Sequence, residues 1–176
     1  MNSSTQKPTR WPYLLVGVIA MLFAGIIYAW SILKAPLAAE FGWSASNLAL
    51  NFTLTMSFFC LGGFIGGLLA KKLGAKIVVP LGGVLAGLGF ILTSRLSGAS
   101  VTTLYLTYGL MAGLGIGMAY VVTVSTVGAW FSDKKGFCSG CLMMGFGAST
   151  LILGNLSNAL IASMGWRKTF LLLGIV

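Results

Sequence analysis

The chain is poor in the side chains that most chemistry requires. Its 176 residues include two acids and no histidine, and 7% are charged. An intramembrane catalytic site needs a pair such as two acids or a His/Asp metal set, and the long apolar runs hold neither. Zinc is poorly served too. Cys138-Ser139-Gly140-Cys141 has ligand spacing, but no histidine or second cysteine pair completes a set of three or four protein ligands. Cys60 then reads as a small apolar filler, and Cys138 and Cys141 as helix-packing residues. No enzyme, metal or cofactor is expected. A soluble domain carries about 25% charged residues, so there is too little polar surface here to cover a water-soluble globule.

Acids are also outnumbered. Eleven Lys and Arg give a formal charge of +9. Binding to nucleic acid would gather such cations on one polar face. They lie instead in small groups between apolar blocks, which points to a lipid bilayer and away from nucleic acid.

What the chain has is hydrocarbon. Hydrophobic residues make up 57%, and the mean hydropathy is +0.97. The expected organisation is a polar tail over 1–10 and one transmembrane bundle over 11–176. Spans fall at about 11–33, 45–70, 77–93, 101–130 and 136–164, with a truncated sixth at 166–176. Each complete run reaches the roughly 17 residues needed to cross hydrocarbon as a helix, and the strand alternation of a barrel is absent. Lys34–Trp43 reads as a loop, with Ser44 capping the second span. The run from Trp11 is longer than the roughly 7–15 apolar residues of a signal peptide, so it reads as a retained span. The last run, about 18 Å of helix against about 30 Å of hydrocarbon, suggests the first part of a longer protein.

With the N-terminus inside, Lys7, Arg10, Lys71, Lys72, Lys76, Lys134 and Lys135 fall on the cytoplasmic side. Lys34, Arg95, Arg167 and Lys168 fall outside. That bias predicts a multi-pass protein of the cell membrane with a cytoplasmic N-terminus.

Glycines fall four apart inside the spans: Gly62/Gly66 and Gly63/Gly67, Gly83/Gly87, Gly109/Gly113 and Gly113/Gly117, and Gly136/Gly140. This spacing predicts close helix crossings, with Gly62, Gly66, Gly113 and Gly117 at their centre. The chain also repeats. Tyr13–Trp30 laid on Tyr105–Val122 matches Tyr13/Tyr105, Leu14/Leu106, Gly17/Gly109, Ala20/Ala112, Leu22/Leu114, Gly25/Gly117 and Tyr28/Tyr120. Leu73-Gly74-Ala75-Lys76 lies opposite Met164-Gly165-Trp166-Arg167 at nearly the same offset. The first and fourth spans cross in opposite directions, so the repeat is inverted, as in secondary transporters.

On that geometry Tyr28 and Tyr120 lie on opposite sides of the midplane, each displaced by roughly 8–9 Å. They either line a central solute site, where a phenol donates to a carboxylate, or serve packing and the interfacial belt. Tyr13 and Tyr105, near span starts, read as belt residues. Asn47, Asn51 and Thr55 share one face of the second span and should face the bundle interior. There they either line a pathway or hold helices together. Lys34, at the outer end of the first span, either draws anions inward or snorkels.

Particular motifs then carry a resemblance. Tyr28-Ala29-Trp30-Ser31, Pro36-Leu37 and Phe41-Gly42-Trp43-Ser44 resemble the first span and loop of oxalate/formate antiporter-type proteins of the major facilitator superfamily. Gly113-Leu-Gly-Ile-Gly117-Met-Ala-Tyr120, Trp130-Phe131 and Lys135-Gly136 are similar to that family's fourth span and next turn. Gly67-Leu-Leu-Ala-Lys71-Lys72-Leu-Gly74-Ala-Lys76 looks like the superfamily's gating turn. Lys71 stands where an acid is common and Ala75 where Arg is frequent, so the cross-helix pairing of that acid cannot form. The resemblance implies the N-terminal half of a twelve-span transporter for small organic anions, working by alternating access. The partner half, with its anion-holding cations, would be missing, and the chain alone would not transport. The competing expectation is a small oligomeric multi-pass protein without transport activity of its own.

Overall fold

A computed structural model describes residues 10–98 and 100–175. Residues 1–9 of the expected tail, Lys7 among them, and Val176 lie outside the described residues. Five helices are long and apolar enough to cross a membrane: α1 (Trp11–Phe41), α2 (Ala45–Leu73), α3 (Ala75–Ser94), α4 (Val101–Trp130) and α5 (Lys135–Met164). A shorter α6 (Trp166–Ile175) follows. Apolar sequence in lipid leaves backbone groups no partner outside the segment, so each run closes its own hydrogen bonds as a helix. The chain is an all-α membrane bundle.

Where α1 ends differs from expectation. The segment Lys34–Phe41, read as part of a loop, continues the helix with Pro36 inside it. A residue before proline disfavours the helical region, which is why Ala35-Pro36 reads as a boundary. Tertiary contacts override that preference. Leu33 and Leu37 are fully buried, and Glu40 accepts from Trp166 Nε1 at 2.6 Å and pairs with Arg167 at 2.8 Å. The terminator is Gly42, whose φ of +64° suits glycine. At the start of α2, Ser44 Oγ accepts from the Asn47 N–H at 3.2 Å.

The turns before α3 and α6 rest on Gly74 (φ +81°, ψ +157°) and Gly165 (φ +83°, ψ +160°). That region is open essentially to glycine alone. The two residues are the ones the sequence repeat lays opposite each other, so the repeat is present in the backbone. It is broken elsewhere. Helix α1 tightens to a 3-10 turn over Gly25–Ala29, whereas α4 and α5 widen to π turns over Tyr105–Ala112 and Thr150–Gly154.

Helix α4 is the hub, packed on α2 and α3; α1 packs on α5, and α6 on α3. Glycine permits these approaches. A Cβ on Gly62 would collide with the Leu114 carbonyl, and one on Gly66 would lie 2.8 Å from Met118 Cα. At Gly113 it would lie 2.7 Å from the Thr55 carbonyl oxygen. Such distances leave no room for any side chain. Not every expected stripe packs: Gly83, Gly136 and Gly140 face open space. The outward surfaces are hydrocarbon, with Val16, Phe64, Met144 and Leu151 each about two-thirds exposed.

Both acids of the chain form ion pairs with arginines, and each pair holds one end of α1. Arg10, ahead of α1, donates through both terminal nitrogens to Asp133 in the α4–α5 turn, with Nη2 to Oδ2 at 2.7 Å. Hydrogen bonding from Arg10 holds the Asp133 carboxyl below the usual carboxylate range, and Lys134 adds to this. At the other end Glu40 meets Trp166 and Arg167, and Arg167 also donates to the Leu96 carbonyl at 2.7 Å.

Candidate substrate site

Glycine contacts within the bundle place four aromatic rings. In α1, Gly25 presses on the Phe146 carbonyl of α5; in α4, its repeat partner Gly117 presses on the Phe59 carbonyl of α2. Three residues past each glycine stands a tyrosine, close to one turn on. Tyr28 meets Phe146 edge-on at 5.2 Å, and Tyr120 meets Phe59 at 5.3 Å. The two Gly–Tyr–Phe groups are therefore equivalent under the inverted repeat.

They also touch each other. Phe146 lies 4.8 Å from Tyr120 and 6.2 Å from Phe59. One patch thus joins α1, α2, α4 and α5, with Phe146 buried and Tyr28 44% exposed at its edge. Tyr120 and Phe59 are half-buried. Two phenols offer hydroxyl donors, and ring edges carry partial positive charge, so the patch suits a small anion with apolar faces.

The other expected lining residues sit differently. Asn51 and Thr55 are fully buried against the glycines of α4: Gly113 faces the Thr55 backbone, and Asn51 Oδ1 would lie 3.3 Å from a Cβ on Gly109. Thr55 Oγ1 donates to the Asn51 carbonyl at 2.7 Å. The Asn51 carboxamide has no hydrogen-bond partner among the described residues. Asn51 thus stands at the α2–α4 seam, and Thr55 lies on the same face of α2 one turn before Phe59. Lys71, Lys72 and Lys76 are exposed around the Gly74 turn. An apolar crevice of about 300 Å³ lies among α1, α3, α4, α5 and α6, lined by residues such as Phe23, Ile26, Gly82 and Phe90. With no charged or hydroxyl side chain in it, it offers a carboxylate nothing.

The family description Major Facilitator Superfamily matches residues 8–176. The chain belongs to the Major Facilitator Superfamily. It is 30% identical over its whole length to the uncharacterized MFS-type transporter YhjX of Escherichia coli (strain K12), covering 43% of that protein. It is 29% identical to the oxalate:formate antiporter of Oxalobacter formigenes over 95% of this chain and 40% of the relative. Monocarboxylate transporter 11 of Homo sapiens is 32% identical over 86% of this chain and 32% of the relative. The chain thus spans less than half the length of these relatives.

Sequence reasoning about this superfamily member missed Phe59 and Phe146. Phe59 had a signal: it extends the Asn47, Asn51, Thr55 series by one more step of four. Phe146 had none, because an ungapped comparison hides it. The tyrosines are 92 residues apart (120 − 28) and the phenylalanines 87 (146 − 59). Tyr108 was missed as well. It is fully buried within reach of Trp30 at 4.6 Å and Phe90 at 5.3 Å, and Trp30 in turn donates to the Leu48 carbonyl.

Proposed function

We propose that this chain forms the N-terminal half of an alternating-access transporter for small organic anions, mono- or dicarboxylates. In this reading it lies in the cell membrane with a cytoplasmic N-terminus, and a C-terminal half completes the cavity. The observation that carries the proposal is the pair of repeat-related groups, Gly25–Tyr28–Phe146 and Gly117–Tyr120–Phe59, meeting at Phe146. The names of two relatives, an oxalate:formate antiporter and a monocarboxylate transporter, support the substrate class.

The chemistry follows from the groups present. A phenol donating to a carboxylate makes a charge-assisted hydrogen bond, stronger than a neutral one. Phenylalanine edges beside it exclude water and face the anion with partial positive charge. Both phenols stand against one ring, Tyr28 from α1 and Tyr120 from α4, so a single small solute can reach both.

The test is Tyr120→Phe in the full-length transporter, reconstituted in vesicles. A hydrogen bond to a charged group contributes about 1.5–3 kcal/mol, so apparent affinity should fall about tenfold or more. Unchanged affinity for every transported anion removes Tyr120 from the site.

A further inference from the structure

A second concavity opens between α2 and α4, toward the Arg10 end of the bundle. It encloses about 500 Å³, and its lining includes Gly63, Phe64, Gly67, Lys71, Ser125 and Thr126. Both walls run in the same direction, so depth can be read along each. On α2 the lining passes from Gly63 out to Lys71, eight residues or about 12 Å of helix. On α4 it passes from Val122 out to Ser125 and Thr126. The deep part is hydrocarbon, and the shallow end carries one ammonium and two hydroxyls. Gly67 leaves the width, since the nearest atom to a Cβ there would be Val121 Cγ1 at 3.9 Å.

The charge at the mouth has no counter-ion among the described residues. There are two acids, and both are taken: Asp133 by Arg10 and Glu40 by Arg167. Lys71, Lys72 and Lys76 are exposed, with no carboxylate left for them. A furrow that is apolar at depth and cationic at the membrane surface has the polarity of a phospholipid with an anionic headgroup. A wholly apolar transmembrane helix would fill the furrow and leave the charge of Lys71 unanswered.

We propose that an anionic phospholipid binds in this furrow. One acyl chain lies along Gly63 and Gly67, and the phosphate sits on Lys71 beside Ser125 and Thr126. The inference is independent of the tyrosine site, because it uses a different concavity and different residues.

Native mass spectrometry of the protein in nonionic detergent, with phosphatidylglycerol or phosphatidylcholine added, tests it. One phosphatidylglycerol should be retained in preference to phosphatidylcholine. Lys71→Gln should lower that retention about fivefold, the effect of one lysine near an anionic surface. Gly67→Leu, which occupies space now open, should abolish it. Lys168→Gln, at the opposite end, should leave it unchanged. Equal retention of the two lipids, or phosphatidylglycerol retention unmoved by both furrow variants, overturns the proposal. A protein–protein crosslink from Thr126→Cys in the lipid-loaded sample assigns the furrow to a helix and overturns it too.

Discussion

The two Gly–Tyr–Phe groups are related by the repeat yet built on different backbone. Tyr120 stands on regular α-helix and is half-buried between Phe59 and Phe146. Tyr28 stands on the 3-10 turn Gly25–Ala29, exposed, with Phe146 against it. The seams behind them differ likewise. Gly62, Gly66, Gly113 and Gly117 lock α2 to α4 along several turns, and the 3-10 turn of α1 faces the π turn Thr150–Gly154 of α5. Short 3-10 and π segments inside longer helices mark places where the backbone can rewind. Pseudo-symmetry thus supplies two phenols, and the local backbone holds one firmly and leaves the other adjustable.

The largest effect should come from the ring that both groups share, and the next from the α2–α4 seam. Phe146→Ala empties the ring shared by both tyrosines and should lower stability by about 3 kcal/mol, read from thermal unfolding in detergent. Phe59→Ala should cost less, since Phe59 is only half-buried. Equal losses would mean that Phe146 is not the joint. Gly117→Ala forces a Cβ into the Phe59 carbonyl and should cost about 2 kcal/mol. Gly25→Ala makes the same collision with Phe146, but the 3-10 turn that Gly25 opens can yield, so the loss should be smaller. Gly140→Ala, which meets nothing, should change stability by no more than about 0.5 kcal/mol.

Asn51 sharpens the comparison in the other direction. Its buried carboxamide has no partner among the described residues, and replacing an unsatisfied polar group by an apolar one of like shape can stabilise. Asn51→Leu should raise stability by about 1 kcal/mol in the same unfolding assay. A loss would show that the amide is satisfied by something bound at the α2–α4 seam.

The smallest effect concerns the exposed Arg10–Asp133 pair. The Asp133 pKa is lower in the folded chain than in the unfolded one, so its contribution is present above the unfolded value and lost as pH falls through the folded value. Titration below about pH 4 should therefore weaken the hold on the start of α1, and Asp133→Asn should remove that acid-side decline. A decline unchanged in Asp133→Asn would assign it elsewhere.

Much of the architecture was legible in the sequence. Apolar run length marks the membrane helices, and the glycine and tyrosine spacing exposes the repeat in α1 and α4. The continuation of α1 past Pro36 was hidden, because it depends on Glu40 reaching Trp166 and Arg167 more than 120 residues away. The site was half legible. Tyr28 and Tyr120 stand out by pairing, but the five-residue difference in offset conceals the matching phenylalanines. Hydroxyl and amide patterning places Asn51 and Thr55 on an inward face, but only packing shows that this face meets the glycines of α4.

The central claim is that both tyrosines contact the same transported anion. Cysteines placed singly at positions 28 and 120 of the full-length transporter, with the native cysteines replaced, can be labelled with a charged thiol reagent with and without saturating carboxylate substrate. The account predicts that substrate slows labelling at both positions, with the larger basal rate at 28. Labelling unaffected by substrate at either position would contradict it.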